Sequence, residues 1–147
     1  MSNPVRTLGL CLVLLATGFF ASCATQYPPM AERPELSAIA QPYLMRLQAQ
    51  GITRVESPAA GGNYTKVMST LGPFDIRRRP DLSVSPFVVT IGAQGLVVSA
   101  NDYTQAQLPQ YREALNLTLT EVLRVAPKTE ADLRRLQDDS GGGRGGR

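Results

Sequence analysis

Histidine and tryptophan are absent from this 147-residue chain, and cysteine occurs twice, at Cys11 and Cys23. Without imidazole the chain lacks the commonest general base near neutral pH and the commonest transition-metal ligand. Ser-His-Asp and Cys-His arrangements are excluded by inventory. Lysine is nearly as scarce, with only Lys66 and Lys128, and neither stands in a Ser-x-x-Lys motif. There is no Gly-x-Gly-x-x-Gly or Walker pattern, so Gly61-Gly62 and Gly92/Gly95 read as turn glycines. Tyr27, Tyr43, Tyr64, Tyr103 and Tyr111 are scattered and form no stacking platform for bases. What remains for catalysis is carboxylates with serine, lysine or tyrosine. Asp75 and Asp81 bracket Arg77-Arg78-Arg79, but their spacing matches neither a calcium loop nor a glycosidase pair, and they are expected to pair with neighbouring arginines on a polar loop. The inventory therefore points away from an enzyme and implies no cofactor and no metal.

What the chain does have stands at its start. MSNPVRTLGLCLVLLATGFFASC carries one charge, Arg6, and then an apolar run from Leu8 to Ala21 in which Thr17 is the only polar side chain. A run of this length suits the core of a signal peptide, whereas a bilayer span needs roughly 20 apolar residues. Small residues, Ala21 and Ser22, close it just before Cys23. The segment Phe20-Ala21-Ser22-Cys23 resembles the lipobox of bacterial lipoproteins, Leu-(Ala/Ser)-(Gly/Ala)-Cys, with Phe20 where leucine is usual.

That resemblance implies acylation of the Cys23 thiol, cleavage between Ser22 and Cys23, and membrane lipid as the first partner. Each buried acyl methylene contributes about 0.8 kcal/mol, so two or three chains give stable anchoring where one is reversible. The other readings of the segment are an ordinary secretory signal cut after Ala21 or Ser22, leaving Cys23 a free thiol, and an uncleaved membrane anchor, for which the run is short. Because Ala24, not aspartate, follows the cysteine, the resemblance to enteric lipoproteins favours the periplasmic leaflet of the outer membrane. In a Gram-positive host it would mean the outer face of the plasma membrane.

Cleavage before Cys23 removes 22 of the 147 residues and Arg6, lowering the formal charge from +3 to +2. With Cys11 lost and Cys23 acylated, no disulfide is available, and one small domain must hold itself together through its core. Residues 23–35 read as a lipidated start and flexible tether; the eleven residues from Ala24 to Pro34, at about 3.3 Å each, would reach roughly 35 Å. Residues 36–138 form the expected domain and 139–147 a disordered Gly/Arg tail.

Within the domain, Leu36, Ile39, Ala40, Tyr43, Leu44 and Leu47 recur at helical spacing, predicting a helix over 37–50, capped by Ser37 or Gln41 and kinked at Pro42. Short strands are expected over 52–56, 64–69 and 74–77, and a hairpin over 87–91 and 96–100 across Gly92-Ala93-Gln94-Gly95. Leu108, Tyr111, Leu115, Leu119, Val122 and Leu123 then mark a second helix, capped by Asp102 or Thr104. A third, short helix starts at Thr129, with Asp132 completing a weak capping box.

The expected fold class is α+β: a small antiparallel sheet of three to five strands packed against two amphipathic helices, with a short C-terminal helix. Phe87, Val89 and Ile91 should face the helices. The other face should show Thr90 and Ser99 together with Val88 and Val97, a surface that wants a partner unless loops or the third helix cover it.

Functionally the expectation is a non-catalytic envelope lipoprotein, a membrane-tethered binding or assembly subunit with an envelope protein as partner. Two alternatives remain: a ligand-binding lipoprotein with a pocket between helices and sheet, and an envelope enzyme using carboxylates. Arg77, Arg78 and Arg79 form a candidate anionic-surface site, since guanidinium groups grip phosphate or carboxylate through two bonds; the plainer reading is a solubilising turn before Pro80. The Gly/Arg tail resembles nucleic-acid-binding tails, but a secreted domain should meet no nucleic acid. Asn116-Leu117-Thr118 matches a glycosylation sequon that a bacterial signal makes irrelevant.

Overall fold

The computed structural model of the chain describes residues 30–58, 62–77, 84 and 86–141. Strand β1 (Ala31–Glu32) is followed by α1 (Pro34–Ala40), a 3-10 turn (Gln41–Tyr43) and α2 (Leu44–Ala49). Then come β2 (Ile52–Ser57), β3 (Tyr64–Ser69), β4 (Pro73–Arg77), β5 (Phe87–Gly92) and β6 (Gly95–Ala100). A 3-10 turn (Gln105–Gln107) leads into α3 (Leu108–Val125), and α4 (Glu130–Gly141) follows. The fold class is α+β as expected, with six strands among the described residues instead of three to five.

All the strand pairs are antiparallel and the sheet order is β1-β6-β5-β2-β3-β4. Strands β2, β3 and β4 form a meander and β5 returns to lie beside β2, which is Greek-key order; β6 then closes a hairpin with β5. That hairpin turns through Ala93 and Gln94 between the paired Gly92 and Gly95.

Register puts one set of side chains on one face. Val55 pairs with Val67 and Val89, Val89 with Val98, Val67 with Phe74, and Phe87 with Ala100; all are buried. Full burial of a side chain such as Val or Phe contributes about 1.5–3 kcal/mol, so this face organises the core. Onto it pack Leu36 and Ala40 of α1, Leu47 of α2 and Tyr111, Ala114, Leu115, Leu119 and Val122 of α3. The spacing of the α3 residues is the helical stripe read in the sequence. Helix α4 adds Leu133 and Leu136 at the β4 side, so the C-terminal helix joins the same layer and does not cover the opposite face.

A bulge breaks the alternation in β2. Ile52 pairs with Ser69 and Arg54 with Met68, so the register shifts between them, and Ile52 and Val55, three apart, are both buried. Helix α2 stops at Gly51, whose φ of +71° only glycine adopts without strain. Its N–H donates to Gln48 O at 3.0 Å and its carbonyl accepts Thr70 N–H at 2.8 Å, joining the helix end to the β3–β4 turn.

Several boundaries differ from the sequence reading. Residues 31–32 belong to the sheet, not to a tether: Ala31 pairs with Ala100 and Glu32 with Ser99. The first helix begins at Pro34 with no side-chain cap, because proline is tolerated in the first turn. Ser37 lies inside α1 and its Oγ instead accepts the Val98 N–H at 2.9 Å. Pro42 sits in the 3-10 turn, which accommodates the missing donor where a kink was expected. At the other end α4 runs to Gly141, past the boundary expected at 138, while residues 142–147 lie outside the described residues. Thr104 and Gln107 form a reciprocal box, but it caps the 3-10 turn before α3; α3 itself starts at Leu108 with no side-chain cap, where Asp102 or Thr104 was expected. At α4, Asp132 N–H donates to Thr129 Oγ1 at 3.2 Å.

Candidate functional site

Alternation along the strands that build the core sends the remaining side chains to the opposite face. In register order across it lie Val97, Thr90, Arg54, Met68 and Pro73, and beside them Ser99, Val88, Glu56, Lys66 and Asp75. The described helices all pack on the other side. Thr90 is exposed, Val88, Val97 and Ser99 are half-buried among their neighbours, and Met68 and Tyr64 remain 44 % and 41 % exposed. This is the composition expected of the free face from the sequence.

The charges on the face are interleaved. Arg54 and Glu56, two apart on one strand and so on one side, form an ion pair at 2.6 Å. Lys66 stands across the ladder from Glu56 on one side and Asp75 on the other. Asp75 is thus a strand residue opposite a lysine, not a loop residue beside arginines. An open groove of about 360 Å³ crosses one end of the face between Met30, Pro58, Tyr64, Lys66, Pro86 and Val88.

Arg77 is the last residue of β4, exposed and paired across the ladder with Tyr64. Its neighbours Arg78 and Arg79 lie outside the described residues, as do Asp81 and the whole signal with Ser22 and Cys23.

A second polar cluster fixes the start of the folded domain, and the sequence offered no sign of it. The Arg33 backbone N–H donates to Val98 O at 2.9 Å. Its guanidinium donates to Ala100 O at 3.2 Å and to Asp102 Oδ1 at 2.7 Å, and lies 6.0 Å from the centre of the Tyr103 ring. Tyr103 Oη donates to Glu35 Oε1 at 2.5 Å. Burial, then that hydrogen bond, push the Tyr103 phenol up to about 12. The same bond is the main cause holding the Glu35 carboxyl below its ordinary 4.5. Tyr103 also packs on Tyr111, ring centres 4.8 Å apart, so two of the tyrosines read as scattered come together. The cluster seals the sheet edge that β1, only two residues long, leaves open.

Among the described residues no group of three or more acidic, cysteine or histidine side chains is placed to hold a metal ion. None of the described helices is long and apolar enough to cross a membrane. Other surface grooves lie on α3 around Leu108, Pro109 and Leu117, at about 540 Å³, and between Gln48–Gly51, Thr70 and Lys128, at about 620 Å³. Asn116 of the sequon is half-buried on α3 and accepts a hydrogen bond from Tyr43 Oη at 3.3 Å.

No family model, no curated protein and no solved structure matches this chain.

Proposed function

We propose that this protein is a non-catalytic bacterial envelope lipoprotein, acylated at Cys23 and working as a membrane-tethered binding or assembly subunit of a larger envelope complex. The observation that carries the binding role is the one-sided architecture: every described helix lies on one face of the sheet, and the other keeps Val88, Val97 and Met68 among interleaved charges. A face with half-buried valines and paired charges can be covered by a protein partner without stranding an unpaired ion. Lipid confinement would raise its local concentration near partners in the same membrane, so that a modest contact suffices. The residue after the acylated cysteine, Ala24, favours the periplasmic leaflet of the outer membrane.

The non-enzymatic reading draws on how the carboxylates are used. Glu56 and Glu121 are paired with Arg54 and Arg124, and Glu35 accepts from Tyr103, which leaves these groups occupied by structural contacts.

Two measurements in the native host test the proposal. Cys23→Ser should move the protein out of the membrane fraction with its fold intact; retention after signal processing refutes the lipid anchor. A photo-crosslinking residue at Thr90, in the middle of the free face, should join one envelope protein that the same residue at Glu113, on the exposed side of α3, does not reach. Equal products from both positions, or none from Thr90, refute the face as the binding surface.

A further inference from the structure

The place where the chain enters the fold decides how an anchored domain must stand. Strand β1 enters at Ala31, paired with Ala100, and runs towards the middle of β6, where Arg33 meets Val98. Met30 therefore lies beyond the Ala100 end of the sheet, and it lines the groove there with Pro58, Tyr64 and Pro86. Register brings the end of β2 at Ser57, the start of β5 at Phe87 and the Tyr64–Arg77 pair to this same end. The turn at Ala93 and Gln94 and the β3–β4 turn close the opposite end.

Only seven Cα steps separate Cys23 from Met30, and at full extension they span roughly 25 Å. A domain of about 110 residues has a radius of gyration near 13 Å and is about 34 Å across. The leash is therefore shorter than the domain it holds. If the opposite end rested on the bilayer, the leash would have to run almost fully extended along the side of the domain, giving up the conformational freedom of its residues. A slack leash favours the Ala100 end towards the membrane, and that end carries side chains suited to a headgroup layer. Tyr64 is 41 % and Met30 39 % exposed, with Lys66 and Arg77 on the same part of the free face, Lys66 between Glu56 and Asp75 and Arg77 beyond Asp75 at the strand end; Glu56 is held by Arg54. Amphipathic aromatic rings settle at the level of lipid headgroups, and long cationic side chains reach their phosphates.

We propose that the end of the sheet formed by Met30, Tyr64, Lys66 and Arg77 is a membrane-contact surface that rests on the anionic phospholipid headgroups of the bilayer carrying the anchor. The inference rests on the Cys23 anchor proposed above. It fixes the orientation of the domain, with the free sheet face standing across the membrane plane and available to partners in the same bilayer.

The test uses the full-length protein isolated from membranes, with one fluorophore at Pro58→Cys or at Gln94→Cys, in vesicles containing acceptor-labelled lipid. The two ends are about 20 Å apart for six-residue strands, so transfer should be stronger from 58 than from 94. Adding phosphatidylglycerol to phosphatidylcholine vesicles should strengthen transfer from 58 further. Lys66→Ala/Arg77→Ala should abolish that increment, each cation contributing about fivefold to the preference for anionic lipid. Equal transfer from both positions, or stronger transfer from 94, overturns the orientation; transfer from 58 indifferent to phosphatidylglycerol overturns the headgroup contact. Mass measurement of the N-terminal peptide separates the two readings. If Cys23 carries no acyl group the anchor fails, and the unacylated protein mixed with the same vesicles decides the contact. A preference for anionic vesicles that the double variant loses upholds it, and no binding overturns it.

Discussion

Replacing Ser37 with alanine deletes one oxygen from the seam between α1 and β6, and its cost follows from what that oxygen holds. Ser37 Oγ accepts the Val98 N–H at 2.9 Å, and Val98 is fully buried. Strand β1 pairs with Ser99 and Ala100 and stops short of Val98, so among the described residues no strand on that side offers another acceptor. A buried donor left without a partner costs about 1–3 kcal/mol. Alanine is the better helix former and offsets about 0.5 kcal/mol. The net expected loss is about 0.5–2.5 kcal/mol, a fall of about 0.3–1.3 M in the urea midpoint at a slope of about 2 kcal/mol/M. As a control, Thr53→Ala removes a hydroxyl whose bond to Met68 O is solvent-exposed and should change stability by less than about 0.5 kcal/mol. Amide hydrogen exchange reports the site directly, since protection of the Val98 N–H should fall in Ser37→Ala. An unchanged urea midpoint together with unchanged Val98 protection would show that the seam is not desolvated and refute the reasoning.

Two further outcomes are expected. The stability difference between the wild-type protein and Tyr103→Phe should depend on pH at both extremes. The phenol is raised from 10.0 to about 12, so its contribution is full below pH 10 and lost as pH rises through about 12; the lowered Glu35 carboxyl contributes above its ordinary 4.5 and loses that contribution as pH falls through its folded-state value. Urea midpoints should therefore differ most between about pH 5 and pH 10, and a difference constant across the whole range would refute the Tyr103–Glu35 coupling. Gly51→Ala should cost about 1–2 kcal/mol for the left-handed backbone alone, and more because its Cβ would strike Thr70 Oγ1. Adding Thr70→Ala should return the contact part but not the backbone part, so full recovery to the wild-type midpoint would contradict the conformational argument.

Much of the fold was legible because local rules and tertiary contacts agree. The stripe Tyr111, Leu115, Leu119 and Val122 buries one side of α3, and the alternation Phe87, Val89, Ile91 faces the helices, as their spacing dictates. The two-residue strand Ala31–Glu32 escaped notice because it has no pattern of its own and exists only through Ala100 and Ser99. Ser37 reads as a cap in isolation, yet Val98, 61 residues away, is its partner. The bulge at Ile52–Arg54 hid the strand's true inward set for the same reason: register belongs to the pair, not to the strand. Of the candidate site, the sequence placed Val88, Thr90, Val97 and Ser99 together on the face away from the helices. Lys66 and Asp75 became neighbours only through the β3–β4 ladder.

By itself the sequence determined the chemistry that is missing, the positions of the helices and most strands, and the resemblance of residues 1–23 to a lipoprotein signal. These are inventory and short-range periodicity, written within a few turns or strand lengths. Tertiary structure alone decided the order of the strands, the assignment of all the helices to one face, and the meeting of Arg33 and Glu35 with Asp102 and Tyr103 across almost 70 residues of chain. It also decided where the chain enters the sheet, which shortens the stretch between Cys23 and the folded domain from an expected roughly 35 Å to roughly 25 Å. Such pairings depend on which surfaces exclude water together, and that is settled when the whole chain packs.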